Sequence, residues 1–247
     1  YDTLVLATGA RDAFFGHDEW EHIAPGLKTL RDATTVRRRL LVGFELAERV
    51  ADPELRKSLM TFTIIGGGPT GVELAGAIAQ MAHRTLPHEF RKIDTRDARI
   101  VLIEAGTRVL SSFPEDLSAY AKRALEDLGV EVRLNSMATD ITAEGITLSV
   151  KDQEPETIEA DTKIWAAGVQ CAGIGKVVAD KAGAETDRAG RVVVQDDLTL
   201  PGHPEIFFVG DMIKFDGAPG VAQNAMQSGK HAGETIARRT VGLDSTE

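Results

Sequence analysis

Cysteine, aromatic side chains and long uncharged runs are all scarce in this sequence of 247 residues. Its one cysteine, Cys171, has no partner within the chain, which excludes an intrachain disulfide and a dithiol mechanism and suits a reducing compartment. The longest stretch without a charged residue is residues 58–72, and the glycines and proline within it exclude a membrane-spanning helix there. With 43% hydrophobic and 27% charged residues, the composition is that of an ordinary globular chain.

An excess of positive charge is also missing, because 28 Lys+Arg face 38 Asp+Glu and give a formal net charge of -10 at pH 7. Nucleic acid is therefore not expected as the main partner, since binding to phosphates requires clustered Lys and Arg. We interpret the basic run at residues 37–39 as the solvated face of a helix. The six histidines offer no metal-ligand spacing, so we predict no metal site and expect His83 and His88 to be solvated.

Hydrophobic periodicity predicts a β-α-β-α-β order in the middle of the chain. The predicted elements are a connecting helix at 32–50, strands at 61–65, 99–104 and 130–134, a helix after the glycine run at 66–71, and a helix at 114–128 that ends at Gly129. This order specifies a parallel, right-handed Rossmann-type unit and an α/β fold.

The pattern changes after residue 134. We predict a hairpin of strands 138–142 and 146–150 and a strand at 163–167, as a small antiparallel addition that covers one face of the sheet, then strands at 191–195 and 206–209 and a helix at 221–239. Residues 1–10 predict a buried strand whose neighbours lie outside this chain. Two strands end alike, at residues 7–9 and at residues 166–168, which suggests two related nucleotide-binding units, one complete and one cut.

The strongest local motif is Gly66-x-Gly68-x-x-Gly71, between a predicted strand and a predicted helix that starts near Pro69. Its glycines permit a tight turn, close approach of a pyrophosphate and close helix packing, while the helix N-terminus presents N–H groups to the anion. Alone, the motif is a weak signal, since glycine turns are common. Its place between strand and helix favours dinucleotide binding.

Glu104, at the end of the second strand, is the candidate acid for the ribose hydroxyls. It lies farther from Gly66 than the usual spacing of about 20 residues, and we assign the excess to a polar insertion at residues 83–98. An ordinary strand-end acid remains the alternative. A carboxylate here repels a 2′-phosphate and favours NADH over NADPH, a preference that the nearby Arg108 could blunt.

Two further features carry weaker signals. Gly210-Asp211 after an apolar strand resembles the second flavin motif of two-dinucleotide flavoproteins, although such a pair is more often a turn. The turn at Thr8-Gly9 and the helix that starts near Val221 strengthen the flavin interpretation. Glu73 lies one turn into the helix that follows the glycine run. It is either a residue of the site or a solvent-facing charge that the helix N-terminus stabilises.

Together these segments resemble the type II NADH dehydrogenases, single-subunit, FAD-containing NADH:quinone oxidoreductases of the pyridine nucleotide-disulfide oxidoreductase-like superfamily. The resemblance rests on residues 15–17 (FGH) with Trp20, 24–28 (APGLK), 66–73 (GGGPTGVE) with 74–76 (LAG), 102–105 (LIEA), 165–169 (WAAGV), 210–211 (GD) and 219–223 (PGVAQ).

The resemblance implies a Rossmann-type NAD(H)-binding domain at residues 58–170, inserted in a partial FAD-binding Rossmann-like domain made of residues 1–57 and 171–247. In the family, hydride passes from NADH to FAD, and two electrons pass on to a quinone of the respiratory chain without proton pumping. The implied cofactor-binding residues are Thr8, Gly9, Gly66, Gly68, Pro69, Thr70, Gly71, Glu104, Ala167, Gly168, Gly210, Asp211, Ala222 and Gln223. The implied catalytic residues are Glu73, beside the nicotinamide and flavin, and Gln223 and Gln227, beside the isoalloxazine and the quinone tunnel.

Two departures from the family pattern matter. Its N-terminal FAD glycine loop and its C-terminal membrane-anchoring region have no counterpart in this sequence, so we expect the isolated chain neither to hold FAD tightly nor to reduce quinone. The whole protein is expected to be cytoplasmic and peripheral on the inner face of the cell membrane, through the missing region only. Whether it forms a homodimer stays open.

Two alternatives also stay open. The isolated chain could be an NADH-binding module without turnover. A second enzyme alternative is another pyridine-nucleotide flavoprotein, such as a ferredoxin-type reductase, whereas a sulfide:quinone oxidoreductase needs paired cysteines that this chain lacks.

Overall fold

The computed structural model describes residues 1–150, 153–215 and 221–243 and has a mixed α/β architecture. Its strands are β1 (Leu4–Leu6), β2 (Ala10–Asp12), β3 (Thr61–Ile65), β4 (Arg99–Ile103), β5 (Val130–Arg133), β6 (Ser136–Ile141), β7 (Gly145–Val150), β8 (Glu156–Glu159), β9 (Thr162–Trp165), β10 (Val169–Cys171), β11 (Val192–Val193), β12 (Thr199–Leu200), β13 (His203–Phe208) and β14 (Ile213–Lys214). Its α-helices are α1 (Leu30–Arg49), α2 (Pro53–Leu59), α3 (Pro69–Gln80), α4 (Glu115–Asp127), α5 (Gly173–Ala182) and α6 (Ala222–Thr240).

The chain folds as two compact units, a continuous one (Asp12–Gly168) inserted into a discontinuous one (Tyr1–Arg11 with Val169–Glu247). The predicted α/β class and the predicted insertion of one domain in another are confirmed. The observed division falls at residue 12 instead of 58, because Val36 and Phe44 of α1 share a core with Phe62 of β3. The second division, between residues 168 and 169, lies two residues from the predicted one.

The inserted unit is built on a four-stranded parallel sheet in the order β5-β4-β3-β9. The predicted β-α-β-α-β order is confirmed, and each predicted strand differs from the observed one by at most a residue at either end. The placement of β9 is a correction. It pairs in parallel with β3, with Ile64 opposite Ile164, instead of belonging to the antiparallel addition.

The two faces of this sheet bury different partners. One face packs against α1, α3 and α4 through Phe62, Ile64 and Leu102. The other face packs against the antiparallel sheet β6-β7-β8, which is the predicted hairpin with one more strand. Because both faces are covered, the two central strands, β3 and β4, are mostly apolar and almost fully buried, as in other doubly covered parallel sheets.

Charged side chains connect the edge strand β5 to its neighbours. Glu131 accepts hydrogen bonds from Arg99 Nε at 2.8 Å and from Arg133 Nη1 at 3.0 Å. Arg133 also pairs with Glu156 of β8, so one network joins β4, β5 and β8. Although burial alone would raise it, the bonds from Arg99 and Arg133 hold the pKa of Glu131 below its usual value.

Local signals set the helix ends. Thr29 and Asp32 form a capping box at the start of α1, each side chain bonded to the other's backbone N–H. Gly129, after the end of α4, has a φ of +86°, as expected of a residue that ends a helix in the left-handed region. Part of the basic run departs from its prediction. Arg37 and Arg38 are exposed, but Arg39 donates hydrogen bonds to the carbonyls of His22 and Ile23.

The segment predicted as a polar insertion contributes to the core. Ile93, Thr95 and Ala98 are buried, and the Glu48 carboxylate of α1 accepts hydrogen bonds from the backbone N–H groups of residues 91–93. The prediction that His83 is solvated is wrong. It is half-buried, and its ring nitrogens lie 2.9 Å from the Leu128 carbonyl oxygen and 3.4 Å from that of Ala98.

The discontinuous unit contains the sheet β1-β13-β12, in which β1 runs parallel to β13 with Val5 opposite Phe207. The expectation that the neighbours of this first strand lie outside the chain is therefore wrong for β13. Its core includes Leu200, Phe207 and Phe208, all fully buried. The first strand is shorter than predicted and only partly buried, since Val5 is 44% exposed while Leu6 is buried. Among the described residues, none of the helices combines the length and the apolar character that crossing a membrane requires.

Candidate functional site

The glycine loop connects β3 to α3 at the carboxyl end of the parallel sheet. Gly66 has a φ of +114°, and a Cβ atom added there would lie 2.5 Å from the carbonyl oxygen of Ala166. A Cβ atom added at Gly71 would lie 1.8 Å from the carbonyl oxygen of Gly66. Glycine at both positions therefore lets the loop close tightly on itself and on the end of β9.

Gly68 differs, because it borders open space. Its φ of -74° suits any residue, and a Cβ atom added there would meet no other atom within 4 Å. It caps the N-terminus of α3, and Pro69 occupies the first turn. The Thr70 hydroxyl makes no hydrogen bond within the described residues. Free N–H groups, the helix dipole and this open space form a cradle that fits a phosphate.

Both oxygens of the Glu104 carboxylate bind the backbone of the site. Oε2 accepts a hydrogen bond from Gly67 N–H and Oε1 one from Gly106 N–H, each 2.6 Å long. Each oxygen keeps a second lone pair that a ribose hydroxyl could use. Arg108 donates hydrogen bonds to the carbonyl oxygens of Ser111 and Phe113, both 2.7 Å long, so its guanidinium is engaged within its own turn.

Two strained backbone positions support the loop, and sequence reasoning missed both. Leu110 has a φ of +50°, and its N–H donates a 2.7 Å hydrogen bond to the Gly67 carbonyl. Asn135 has a φ of +53°, and its N–H donates to the Gly106 carbonyl at 2.9 Å. Strain of this kind persists where the surrounding structure over-determines it, often around binding sites. Asn135 belongs to a residue type that tolerates a positive φ, which is the signal that the sequence offered, whereas Leu110 carries none.

Ala167 and Gly168 follow β9 and lie beside the loop. The Cα atom of Ala167 would be 2.5 Å from a Cβ atom added at Gly66. Gly168 contacts the ring of Phe15, a residue that the sequence analysis noted only as part of the FGH segment. The structure thus brings together eight of the predicted cofactor-binding residues within the inserted unit, namely Gly66, Gly68, Pro69, Thr70, Gly71, Glu104, Ala167 and Gly168.

Glu73 lies on the exposed side of α3. With Gly76 and Gln80 of the same helix it lines a groove of about 360 Å³ whose other wall is α4, including Ala121 and Leu125. Its carboxylate makes no hydrogen bond or ion pair within the described residues. A catalytic role for Glu73 stays a prediction.

A second group of predicted residues lies in the discontinuous unit, at the carboxyl end of β13. Gly210 has a φ of +68°, and its N–H donates a 3.0 Å hydrogen bond to the Ser228 hydroxyl of α6. Asp211 is half-buried, and its carboxylate accepts no hydrogen bond from the described residues. A half-buried carboxylate whose oxygens are free to accept hydrogen bonds fits the hydroxyls of a ribityl chain.

The neighbours of Asp211 show where the other predicted flavin residues lie. Thr8, after β1, directs both its N–H and its hydroxyl to the Met212 sulfur, at 3.1 and 3.2 Å. Gly9 has a φ of +68° and open space where a side chain would stand. Ala222, Gln223 and Gln227 are exposed on the first turns of α6, and residues 219–220 of the PGVAQ segment lie outside the described residues.

Cys171 is a free thiol in an environment that disfavours its reactive form. It is buried, and burial, together with the charges of Asp187 and Asp211, raises the pKa of its thiol above the ordinary value. The reactive thiolate is therefore disfavoured. No group of histidines, cysteines and acids suited to a metal ion occurs in the described part of the chain.

Comparison with known proteins agrees with this geometry and with the resemblance seen in the motifs. The type II NADH:quinone oxidoreductase Ndh of Mycobacterium tuberculosis is 44% identical over 247 residues, which are 100% of this chain and 53% of that relative. The type II NADH:quinone oxidoreductase of Staphylococcus haemolyticus is 31% identical over 255 residues, covering 100% of this chain and 60% of that protein. The chain thus spans about half the length of the curated relatives it matches.

A structure of NDH2 from Plasmodium falciparum in complex with NADH has the same fold, with a TM-score of 0.76 at 24% identity over 87% of this chain and 44% of that one. The family model described as pyridine nucleotide-disulphide oxidoreductase matches residues 1–229. A match of this extent assigns the chain to the pyridine nucleotide-disulphide oxidoreductase family.

Proposed function

We propose that the chain binds NADH at the glycine loop of the inserted unit, as part of an FAD-dependent NADH:quinone oxidoreductase. The observation that carries the proposal is the phosphate cradle at the start of α3. There, close packing at Gly66 and Gly71 is combined with open space at Gly68. The pyrophosphate would occupy this cradle, with Pro69 and Thr70 in the first turn of the helix.

The acid at the end of β4 supports NADH as the substrate. Glu104 presents a carboxylate beside the loop, and a 2′-phosphate would meet repulsion from it. Arg108 does not offset this charge by pairing with it, since its donors are directed to two backbone carbonyls. We therefore propose a preference for NADH over NADPH.

The residues of the discontinuous unit support FAD as the second cofactor. Asp211 would bind the ribityl chain, and Thr8, Gly9, Gly210, Ala222 and Gln223 would line the flavin site. FAD supplies the hydride-accepting and electron-transferring chemistry. The protein's contribution is alignment, for which we propose Glu73 near the nicotinamide and flavin, and Gln223 and Gln227 near the flavin and the quinone.

The setting of the whole protein follows from the same proposal. We propose that it acts in the respiratory chain as a peripheral protein on the inner, cytoplasmic face of the cell membrane. The 44% identity to a type II NADH:quinone oxidoreductase over the full extent of this chain supports this assignment.

Calorimetric titration of the purified chain with NADH and NADPH, together with a flavin absorbance scan, tests the proposal. Saturable binding of NADH that is tighter than binding of NADPH is the expected result. Saturable NADH binding without a flavin absorbance would support the alternative of a nucleotide-binding module without turnover. The enzyme assignment would be wrong if the whole protein, purified with FAD, fails to oxidise NADH with a soluble quinone.

A further inference from the structure

Phe15 is an exposed aromatic residue on a strained backbone, close to the glycine loop. Its side chain is 71% exposed and its φ is +53°, followed by Gly16 with a φ of +96°. A bulky residue in the left-handed region is an outlier that costs free energy. Such strain is retained where neighbouring contacts hold it in place, and it concentrates at binding sites.

The contacts that hold Phe15 come from its neighbours. Ala13 is fixed at both backbone groups, because its N–H donates to the Gly168 carbonyl at 3.0 Å and its carbonyl accepts from the Trp165 indole N–H at 2.9 Å. Phe14 is buried and stacks on Trp165 with ring centroids 5.1 Å apart. With the two preceding residues fixed, the chain turns Phe15 outward. Burial of its own ring therefore does not explain its position.

The ring of Phe15 lies at the carboxyl end of β9. A Cβ atom added at Gly168 would lie 2.5 Å from Phe15 Cζ, so the edge of the ring rests on a residue that must be glycine for this contact to form. The adjacent residue, Ala167, lies against Gly66 of the glycine loop. Only the short segment Ala167–Gly168 separates the Phe15 ring from the dinucleotide loop.

The strand order indicates which half of a bound dinucleotide would reach this ring. The phosphate cradle lies after β3, and Glu104, the acid for the adenosine ribose, lies after β4. In the order β5-β4-β3-β9, the adenosine half therefore extends toward β4. The nicotinamide half must extend to the other side of β3, toward β9 and Phe15.

We propose that Phe15 is a binding residue for the nicotinamide half of NADH, with its exposed ring forming an apolar shelf beside Gly168. The inference rests on the proposed function, since it needs NADH in the glycine loop. Contact between two flat rings is worth about a threefold to tenfold change in affinity. The contact also selects between ligands, because a dinucleotide fragment without the nicotinamide cannot make it.

The test compares NADH with ADP-ribose, which lacks the nicotinamide, in calorimetric titrations of the Phe15→Leu chain. We expect the Kd for NADH to rise about threefold to tenfold and the Kd for ADP-ribose to change less than about twofold. The matched control is Tyr120→Leu, which removes a similarly exposed ring, 67% exposed, from the distant helix α4 and should change neither Kd. Phe15→Tyr keeps the ring and should restore NADH affinity.

The outcomes distinguish failure of the Phe15 role from failure of the proposed NADH site. Unchanged NADH binding by Phe15→Leu, or an equal loss for NADH and ADP-ribose, overturns the role of Phe15 alone. Absence of NADH binding by the unsubstituted chain overturns the proposed function and this inference with it. Should Phe15→Leu fold poorly, Phe15→Gly provides the same comparison, because glycine adopts a positive φ without strain.

Discussion

The backbone N–H of Gly67 donates a 2.6 Å hydrogen bond to the carboxylate of Glu104. The acid that the motif assigns to the ribose is thus also a structural part of the phosphate loop. The shape of the loop and the charge that we propose selects the nucleotide are therefore coupled through one side chain.

Replacing Glu104 by Ala should have two effects for this reason. The Gly67 and Gly106 N–H groups lose their charged acceptor, and we expect the free energy of unfolding to fall by about 1.5–3 kcal/mol. NADH binding should weaken, and discrimination against NADPH should relax because the repulsive charge is gone. Urea unfolding and titration with both nucleotides measure the two effects. An unchanged NADH to NADPH preference would remove the proposed role of this acid.

The glycines of the loop provide a pair of variants with opposite expected results. Gly71→Ala places a methyl group against the Gly66 carbonyl oxygen, which is backbone and cannot move aside, so we expect a loss of stability of about 1–3 kcal/mol or more. Gly68→Ala meets open space, so the free energy of unfolding should stay within about 0.5 kcal/mol of the original. Its NADH affinity should nevertheless fall, since the methyl group occupies the phosphate cradle.

Gly76→Ala serves as the control for both variants. A Cβ atom at Gly76 meets only ordinary contacts at 3.8 Å, and alanine is the better residue within a helix by about 0.5–1 kcal/mol. This variant should be slightly more stable and bind NADH normally. Normal NADH binding by Gly68→Ala would contradict the assignment of the cradle.

Lys163 is a buried cation that holds the β6–β7 turn. Its ammonium group donates hydrogen bonds to the carbonyl oxygens of Ala143 and Ala160, both 2.6 Å long, and the side chain is almost fully buried. Lys163→Met should lower the free energy of unfolding by about 1–3 kcal/mol, because the buried Ala160 carbonyl loses its donor. Lys176→Met, which removes an exposed pair with Asp180, should cost less than about 0.5 kcal/mol. Equal effects in chemical denaturation would contradict the role of Lys163.

Asp12 should make stability depend on pH. Burial against the backbone of Gly26 raises its pKa from 3.8 to about 6; the charge of Lys28 opposes this shift, and Asp32 adds to it. The folded chain therefore holds this proton more tightly than the unfolded chain. In the pH range between the two pKa values the unfolded state binds fewer protons, so the free energy of unfolding falls as the pH rises through that range.

Replacing Asp12 by Asn removes this dependence. The full shift corresponds to about 3 kcal/mol, and because Asp12 is half-exposed, solvent screening leaves about 1–2 kcal/mol. Asp12→Asn should be more stable than the original chain by that amount at about pH 7.5, and the difference should nearly vanish at about pH 3, below both pKa values. Urea unfolding at both pH values measures it. A difference that is the same at both would contradict the burial effect.

The sequence was sufficient for the elements whose signals are local. Residues 61–65 consist of Thr, Phe and Ile, which favour strands, and are followed by a glycine run, while Gly129 lies just after the end of α4, so the positions of both elements could be predicted directly. The pairing of β9 with β3 could not be predicted, because Ile64 and Ile164 are far apart in the sequence and meet only in the folded chain. The prediction that His83 is solvated is wrong for the same reason, since the carbonyls of Leu128 and Ala98 that its ring contacts come from other segments of the chain.

The candidate site shows the same division. The spacing of Gly66, Gly68 and Gly71 predicts a phosphate loop, because a turn this tight leaves no room for a side chain and so requires glycine at particular positions. The hydrogen bond between Glu104 and Gly67 depends on where two strands end side by side, which spacing alone does not determine. The strained backbone of Phe15 could not be predicted from the sequence, because phenylalanine strongly disfavours a positive φ.

The edge strand β5 has a consequence for behaviour at high concentration. Its outer side would offer unpaired backbone groups to a strand of another molecule, and a flat apolar edge would invite such pairing. In β5, however, Glu131 and Arg133 alternate with the valines, and their network ties them to Arg99 and Glu156. An approaching strand would have to strip water and partners from these charges. The ion pairs that join three strands within the chain therefore also disfavour pairing of β5 with a strand of another molecule.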